Sequence, residues 1–149
     1  MLTSVLIEIF ERDLAKLKAE LELYSDEADL WKMAGGIPNS AGNLALHLVG
    51  NLKHFFGATL GNTEYVRDRD LEFSDKHVPR SVIVEAIDET SIIVRQTLER
   101  MTDEDLARTY PIEVFGHPMS TEFFAVHLAT HLTYHLGQIN YHRRLLSNN

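Results

Sequence analysis

Apolar residues recur at helical spacing in four stretches of the chain, separated by clusters of turn-forming residues. From residue 2 to about 24, Leu2, Leu6, Ile9, Leu14, Leu17 and Leu21 alternate with Glu8, Arg12, Lys16 and Glu22, which predicts a long amphipathic helix. The cluster Gly35-Gly36-Ile37-Pro38-Asn39-Ser40 ends in residues that can cap a second helix, carried to about Leu60 by Leu44, Leu48, Leu52 and Phe55 and closed by Gly61-Asn62. Residues 61 to 78 are aperiodic and alternate in charge through Arg67-Asp68-Arg69-Asp70, so they read as a long loop of the kind that often carries function. Pro79 suits the first turn of a third helix built on Ile83, Ile87, Val94, Leu98 and Met101. Thr102-Asp103-Glu104-Asp105 has the form of a capped start for one short extra turn. Tyr110 to Phe115 alternates with period two before Gly116 and could form a short strand or half of a hairpin. Helical periodicity then returns from Ser120 to about Leu146. Four long helices with no repeat and no linker predict an all-α four-helix bundle, with a possible short β-hairpin before the last helix.

Composition fits that picture. A chain of 149 residues with 44% apolar and 24% charged residues matches one ordinary domain over residues 1–149, large enough to bury a core without disulfides. The formal charge of -8 argues against nucleic acid or an anionic membrane as partner, since both ask for a basic surface. Cysteine is absent, which removes disulfides, thiolate ligands and a cysteine nucleophile, and fits a reducing compartment. The apolar start at Met1 to Ile7 lacks a basic flank and soon meets Glu8, Glu11, Arg12 and Asp13. Neither a signal peptide nor a membrane span is expected, and a cytoplasmic location is.

The chemistry lies in the histidines. His127, His131, His135 and His142 fall on the last helix at directions of about 0°, 40°, 80° and 60° around its axis, which makes one stripe. The same face carries Phe124 and Gln138, so it points into the bundle. Residues four apart project side by side, about 6 Å apart along the axis, close enough for two imidazoles to reach one ion. His131-Leu132-Thr133-Tyr134-His135 has that spacing. Two ligands rarely suffice, and the second helix offers Asn43, His47, Asn51 and His54 as a polar stripe in apolar sequence, with His47 the natural third ligand. The same side chains could instead form a hydrogen-bond network between helices, since imidazoles are costly to bury without partners. No HExxH or Glu-x-x-His pattern is present, which excludes the zinc-protease and di-iron arrangements.

The segment His131-Leu132-Thr133-Tyr134-His135-Leu136-Gly137-Gln138-Ile139 resembles the C-terminal signature of the DinB-like superfamily, in which HxxxH followed by Gly-Gln sits on the last bundle helix. The stretch from Leu44 to Leu52 around His47 is similar to that family's first ligand region, and Gly61 to Phe73 is similar to the loop of one subfamily. The resemblance spans nearly the whole chain. It implies a four-helix bundle of the DinB/YfiT-like type, a homodimer, and one divalent metal ion, nickel or zinc, held by His47, His131 and His135. Where many relatives have Arg before the Gly-Gln pair, this chain has Leu136. Some relatives are thiol-dependent enzymes, including bacillithiol and mycothiol S-transferases and a mycothiol-dependent maleylpyruvate isomerase, so a low-molecular-weight thiol is an expected cofactor.

Around the three ligands, His54, His127, Tyr134, Gln138 and His142 are candidates to orient them or line a pocket, with packing or internal hydrogen bonding as the plain alternative for each. Arg67 and Arg69 could bind an anionic thiol or a substrate carboxylate, or form local ion pairs in the loop. His77 and His117 lie in loops outside any constellation, and no residue is assigned a catalytic role. Three imidazoles leave coordination positions open, as in catalytic sites. The expected activity is therefore metal-dependent transfer of a small thiol to a small-molecule electrophile. The alternatives are a metal-dependent hydrolase and a non-catalytic metal-binding or interaction protein.

Overall fold

The computed structural model describes residues 1–147. It is all-α, with α1 at Leu2–Glu22, α2 at Ala41–Leu52, α3 at Arg69–Ser74, α4 at Arg80–Glu99, α5 at Asp103–Ala107 and α6 at Thr121–Ser147. The four long helices close a ring: α1 packs on α4 and α6, and α2 packs on the same two from the other side. One hydrophobic cluster fills the ring, drawing Leu6, Phe10, Leu14, Leu17 and Leu21 from α1 and Ile83, Ile87, Val94 and Leu98 from α4. These are the periodic apolar positions of each helix, with Phe10 in place of the half-buried Ile9. Among the described residues no helix is long and apolar enough to cross a membrane.

Most of α2 is buried, because it faces α4, α6 and the loop that follows it. Its start is fixed by Ser40, whose hydroxyl accepts the Asn43 amide at 3.2 Å. Its continuation, Lys53–Ala58, is a wide π-type turn that buries both Phe55 and Phe56. The Phe56 ring meets Phe10 edge-on, and Phe55 meets Phe124 of α6 with ring centroids 4.9 Å apart. Helices α2 and α6 run antiparallel, since Leu44 and Gln138 share one cleft at the opposite end from the Phe55–Phe124 contact.

The loop after α2 contains a helix that its aperiodic sequence did not signal. Asp68 caps α3 by accepting the Leu71 amide at 3.1 Å. The Asn43 side chain donates to the backbone oxygens of Glu72 and Asp75, each at 2.9 Å, and so ties α3 to the start of α2. Thr102 and Asp105 form a reciprocal capping box at α5, as their spacing suggests. The alternating stretch from Tyr110 yields one antiparallel bridge, Thr109 to Ser120, and no hairpin ladder among the described residues. Two physical reasons stand out. Pro111 has no N–H to donate, and Tyr110 turns into the core, where its hydroxyl donates to the Phe55 carbonyl at 2.7 Å.

Candidate metal centre

His131 and His135 stand one turn apart on α6, and His47 faces them from α2. The Nε2 atom of His131 lies 3.2 Å from Nε2 of His47 and 3.1 Å from Nε2 of His135. The three candidate ligand atoms all fall within 4.8 Å of one another, so the group could hold a metal ion. Nitrogens on a tetrahedral ion at about 2.0 to 2.1 Å are about 3.3 Å apart, which is the spacing found around His131.

The outer ring nitrogens decide how those contacts are read. His47 Nδ1 lies 3.0 Å from the Glu72 carboxylate, and His135 Nδ1 lies 2.7 Å from the Gln138 carbonyl oxygen. Each therefore carries its proton on Nδ1 and turns an Nε2 lone pair inward. His131 Nε2 has at most one proton to donate. It can satisfy one neighbour, and the other contact remains lone pair against lone pair, whereas a cation among the three nitrogens makes both favourable. A closed hydrogen-bond network therefore fits less well, while His131 Nδ1 is buried with no partner among the described residues in either arrangement.

Glu72 is the residue that sequence reading missed. It is buried on α3, and Arg67 donates to both of its oxygens, from Nε at 2.8 Å and from Nη2 at 3.0 Å. Burial by itself would raise the Glu72 carboxyl, but hydrogen bonds from His47 and Arg67 and their charges together hold it below the usual carboxylate range. It is an ionised acceptor, the type of group that fixes a metal-binding histidine from behind. Gly50 makes room for it: a Cβ at position 50 would stand 1.9 Å from Glu72 Oε2. A glycine inside an apolar helix was the available signal, because it costs about 1 kcal/mol relative to alanine and is kept where a neighbour approaches closely.

The other candidates sort by position. His127 stacks on Phe124 and His131 at ring distances of 5.8 and 6.2 Å, adjoining the group of three without joining it. His54 is partly buried against Phe55, and burial followed by the nearby Arg67 lowers its pKa. His142 is a buried tether between elements, with Nδ1 2.7 Å from the Tyr24 hydroxyl and Nε2 2.9 Å from the Lys32 carbonyl. Tyr134 is exposed beside His135, while Leu136 is buried in the core. Arg67 is occupied by Glu72, and Arg69 lies over the Phe73 ring. His77 sits near Trp31 and His117 is in the loop before α6, and neither belongs to the group.

Burial first, and then neighbouring His135, His47 and His127, push His131 down to about 3 from an ordinary 6.5. His135 is lowered too, chiefly by burial. A lowered folded-state pKa means that the unfolded chain takes up the proton first as pH falls. The stability tied to neutral His131 is thus whole above about pH 6.5 and declines as pH falls toward 3. Thermal melts in chelator should show a midpoint that drops between pH 7.5 and pH 5, with a shallower drop in His131→Gln. Identical slopes in the two proteins would contradict this account.

Compared with known proteins, residues 4–149 match a family described as "Protein of unknown function (DUF1572)". No curated protein matches the chain. Among solved structures it is similar to a DinB-like protein from Bacillus cereus ATCC 10987, with a TM-score of 0.72 and 21% identity over 95% of this chain and 91% of that one. It is also similar to a conserved protein from Enterococcus faecalis, with a TM-score of 0.75 and 15% identity over 99% and 98%. The fold is therefore the DinB-like one, as the resemblance of the histidine segments implied.

Proposed function

The chain belongs to the DUF1572 family of unknown function, and from its site we propose that it binds one divalent ion, nickel or zinc, through His47, His131 and His135 to activate a low-molecular-weight thiol for transfer to a small electrophile. The observation that carries this reading is the convergence of three Nε2 atoms while the outer nitrogens of His47 and His135 are already engaged. When bound, the ion would stabilise the thiolate form of a coordinated thiol near neutral pH and leave it poised as a nucleophile. The thiol comes from solution, since the chain has no cysteine.

The chain's own residues set the geometry. Glu72 and Gln138 hold the Nδ1 protons of His47 and His135, and Arg67 keeps Glu72 ionised and in place. In the transfer a carbon–sulfur bond forms. Either a leaving group departs with its electron pair and the thiol proton goes to solvent, or a double bond opens and takes that proton up, and nothing is oxidised or reduced. Both Glu72 oxygens are spent on His47 and Arg67, so this carboxylate is badly placed to deprotonate a water. With Glu72 engaged, the ion alone must lower the nucleophile's pKa, and a thiol at about 8.5 asks less of it than water at about 15.7, which favours thiol transfer over hydrolysis.

Gly50→Ala tests the support behind His47. The new methyl group must displace the Glu72 carboxylate, and loss of such outer partners weakens metal binding by about 10- to 100-fold. Competition titration against a chelator should read a drop of that size with helical content unchanged, and an unaltered affinity would remove Glu72 from the site. The reaction itself is tested by loading the protein with nickel or zinc and following conjugation of bacillithiol, mycothiol and glutathione to a chromogenic electrophile.

A further inference from the structure

Beside the three histidines lies a cleft of ≈ 540 Å³, between the turn at Ala34 to Asn39, the start of α2 and the last turns of α6. Small-molecule sites span about 300–1,000 Å³, so it has the size for a ligand of several rings or fewer. His135 and Gln138 form part of its wall, which makes the cleft continuous with the histidine group. Ile37, Pro38 and Leu44 supply apolar surface, and Tyr134 and Tyr141, both 66% exposed, stand on one face of α6 at its edge. Among the described residues that line it, none is Asp, Glu, Lys or Arg, in a chain where these make up 24%. Arg144 lies over the Tyr141 ring, 5.5 Å from its centroid, but is not part of the lining, so an ionic ligand would find no countercharge inside the cleft and would lose hydration without return. One polar group at the wall suits a neutral ligand: Gln138 turns its carbonyl oxygen to His135, which leaves its amide N–H groups as donors.

We infer that this cleft seats the electrophile, and that the electrophile is an uncharged aromatic molecule. This rests on the thiol-transfer reading for the ligand's role, but the cleft's preference for neutral rings stands on its own lining. The ring lies against Tyr134 and Tyr141, and the end of the cleft lined by His135 and Gln138 brings the ligand beside the histidine group. Tyrosine gives large contact area for little lost freedom, as expected of a site for flat apolar molecules.

Two fluorescent probes test the inference without any turnover: neutral N-phenyl-1-naphthylamine, and 1-anilinonaphthalene-8-sulfonate, which carries the same rings with an added negative charge. The neutral probe is expected to bind one per chain, with the sulfonate at least about tenfold weaker. Tyr141→Asp and Ile37→Asp, both at exposed positions, should each weaken the neutral probe by about tenfold or more, while Val82→Asp on the exposed face of α4 leaves it unchanged. Binding should be measured with and without metal. Neutral-probe binding is expected with or without metal; if the unmodified protein takes up no nickel or zinc under any loading condition yet binds the neutral probe, the thiol-transfer reading falls and the cleft stands. Metal binding with no probe binding, with equal affinity for both probes, or with indifference to both aspartate variants would overturn the cleft proposal. So would light scattering that shows a dimer broken by Tyr141→Asp alongside absent probe binding, because a second copy would then be the occupant.

Discussion

His131→Ala is expected to lose its metal outright, with no ion retained after dialysis that leaves the unmodified protein loaded one to one. His131 is the middle member of the group: its Nε2 is 3.2 Å from that of His47 and 3.1 Å from that of His135. Without it, two imidazoles on different helices remain, and two protein ligands seldom hold a divalent ion in competition with water and buffer. A loss of at least about 100-fold in affinity is the expected size, since this removes a direct ligand where an outer partner alone is worth about 10- to 100-fold. His47→Ala and His135→Ala should behave alike, and His117→Ala, in the exposed loop before α6, should not. Elemental analysis of untagged protein gives the stoichiometry, and circular dichroism checks the fold. Full metal content in His131→Ala, or equal loss in His117→Ala, would remove the assignment.

The parts of this site that repeat along a helix were legible in the sequence. His131 and His135 share a face because 3.6 residues make a turn, and His47 lies on a polar stripe that apolar neighbours make conspicuous. The four long helices and the caps at Ser40 and Thr102 were legible for the same local reason. Glu72 was not, because its role depends on how the segment after α2 folds back. That register is set by Asn43 donating to the backbone of Glu72 and Asp75, a contact between residues 29 and 32 positions apart. The charge alternation around Arg67 pointed to local ion pairs, and Arg67 does pair with Glu72, yet the partner of that pair, His47, lies on another helix. Gly50 carried the hint, since a glycine inside a helix costs stability and can mark a close approach, although Gly137 in α6 has open space beside it. The period-two stretch at Tyr110 misled in a different way. Its alternation arises from one tyrosine needed inside, beside Phe124 and Phe55, and not from a sheet face.

Removing the metal is expected to abolish thiol transfer while leaving the bundle folded. The fold survives because its core belongs to the helices: Phe10, Phe56, Leu17, Ile87 and Leu98 are all essentially buried and lie in one cluster to which the histidines add little. A chain of 149 residues buries enough surface to hold together without its ion, unlike a zinc finger. Activity has no such reserve. A free thiol with a pKa of about 8.5 is only a few per cent thiolate at neutral pH, and this chain offers no cysteine in its place. Glu72 cannot take the thiol proton efficiently while His47 and Arg67 hold both of its oxygens. The metal-free rate should therefore fall to that of thiol and electrophile alone, a drop of at least about 100-fold that re-addition of nickel or zinc restores. His131→Ala should match the metal-free protein and resist rescue. Arg67→Ala should raise the metal concentration needed more than it lowers the rate at saturation, because Arg67 acts through Glu72 on His47. The decisive comparison is loaded against stripped protein across bacillithiol, mycothiol and glutathione, with ester hydrolysis run in parallel. Acceleration of hydrolysis alone would replace the transfer reading with a hydrolase, and a fully loaded protein inert in every reaction would leave metal binding as its activity.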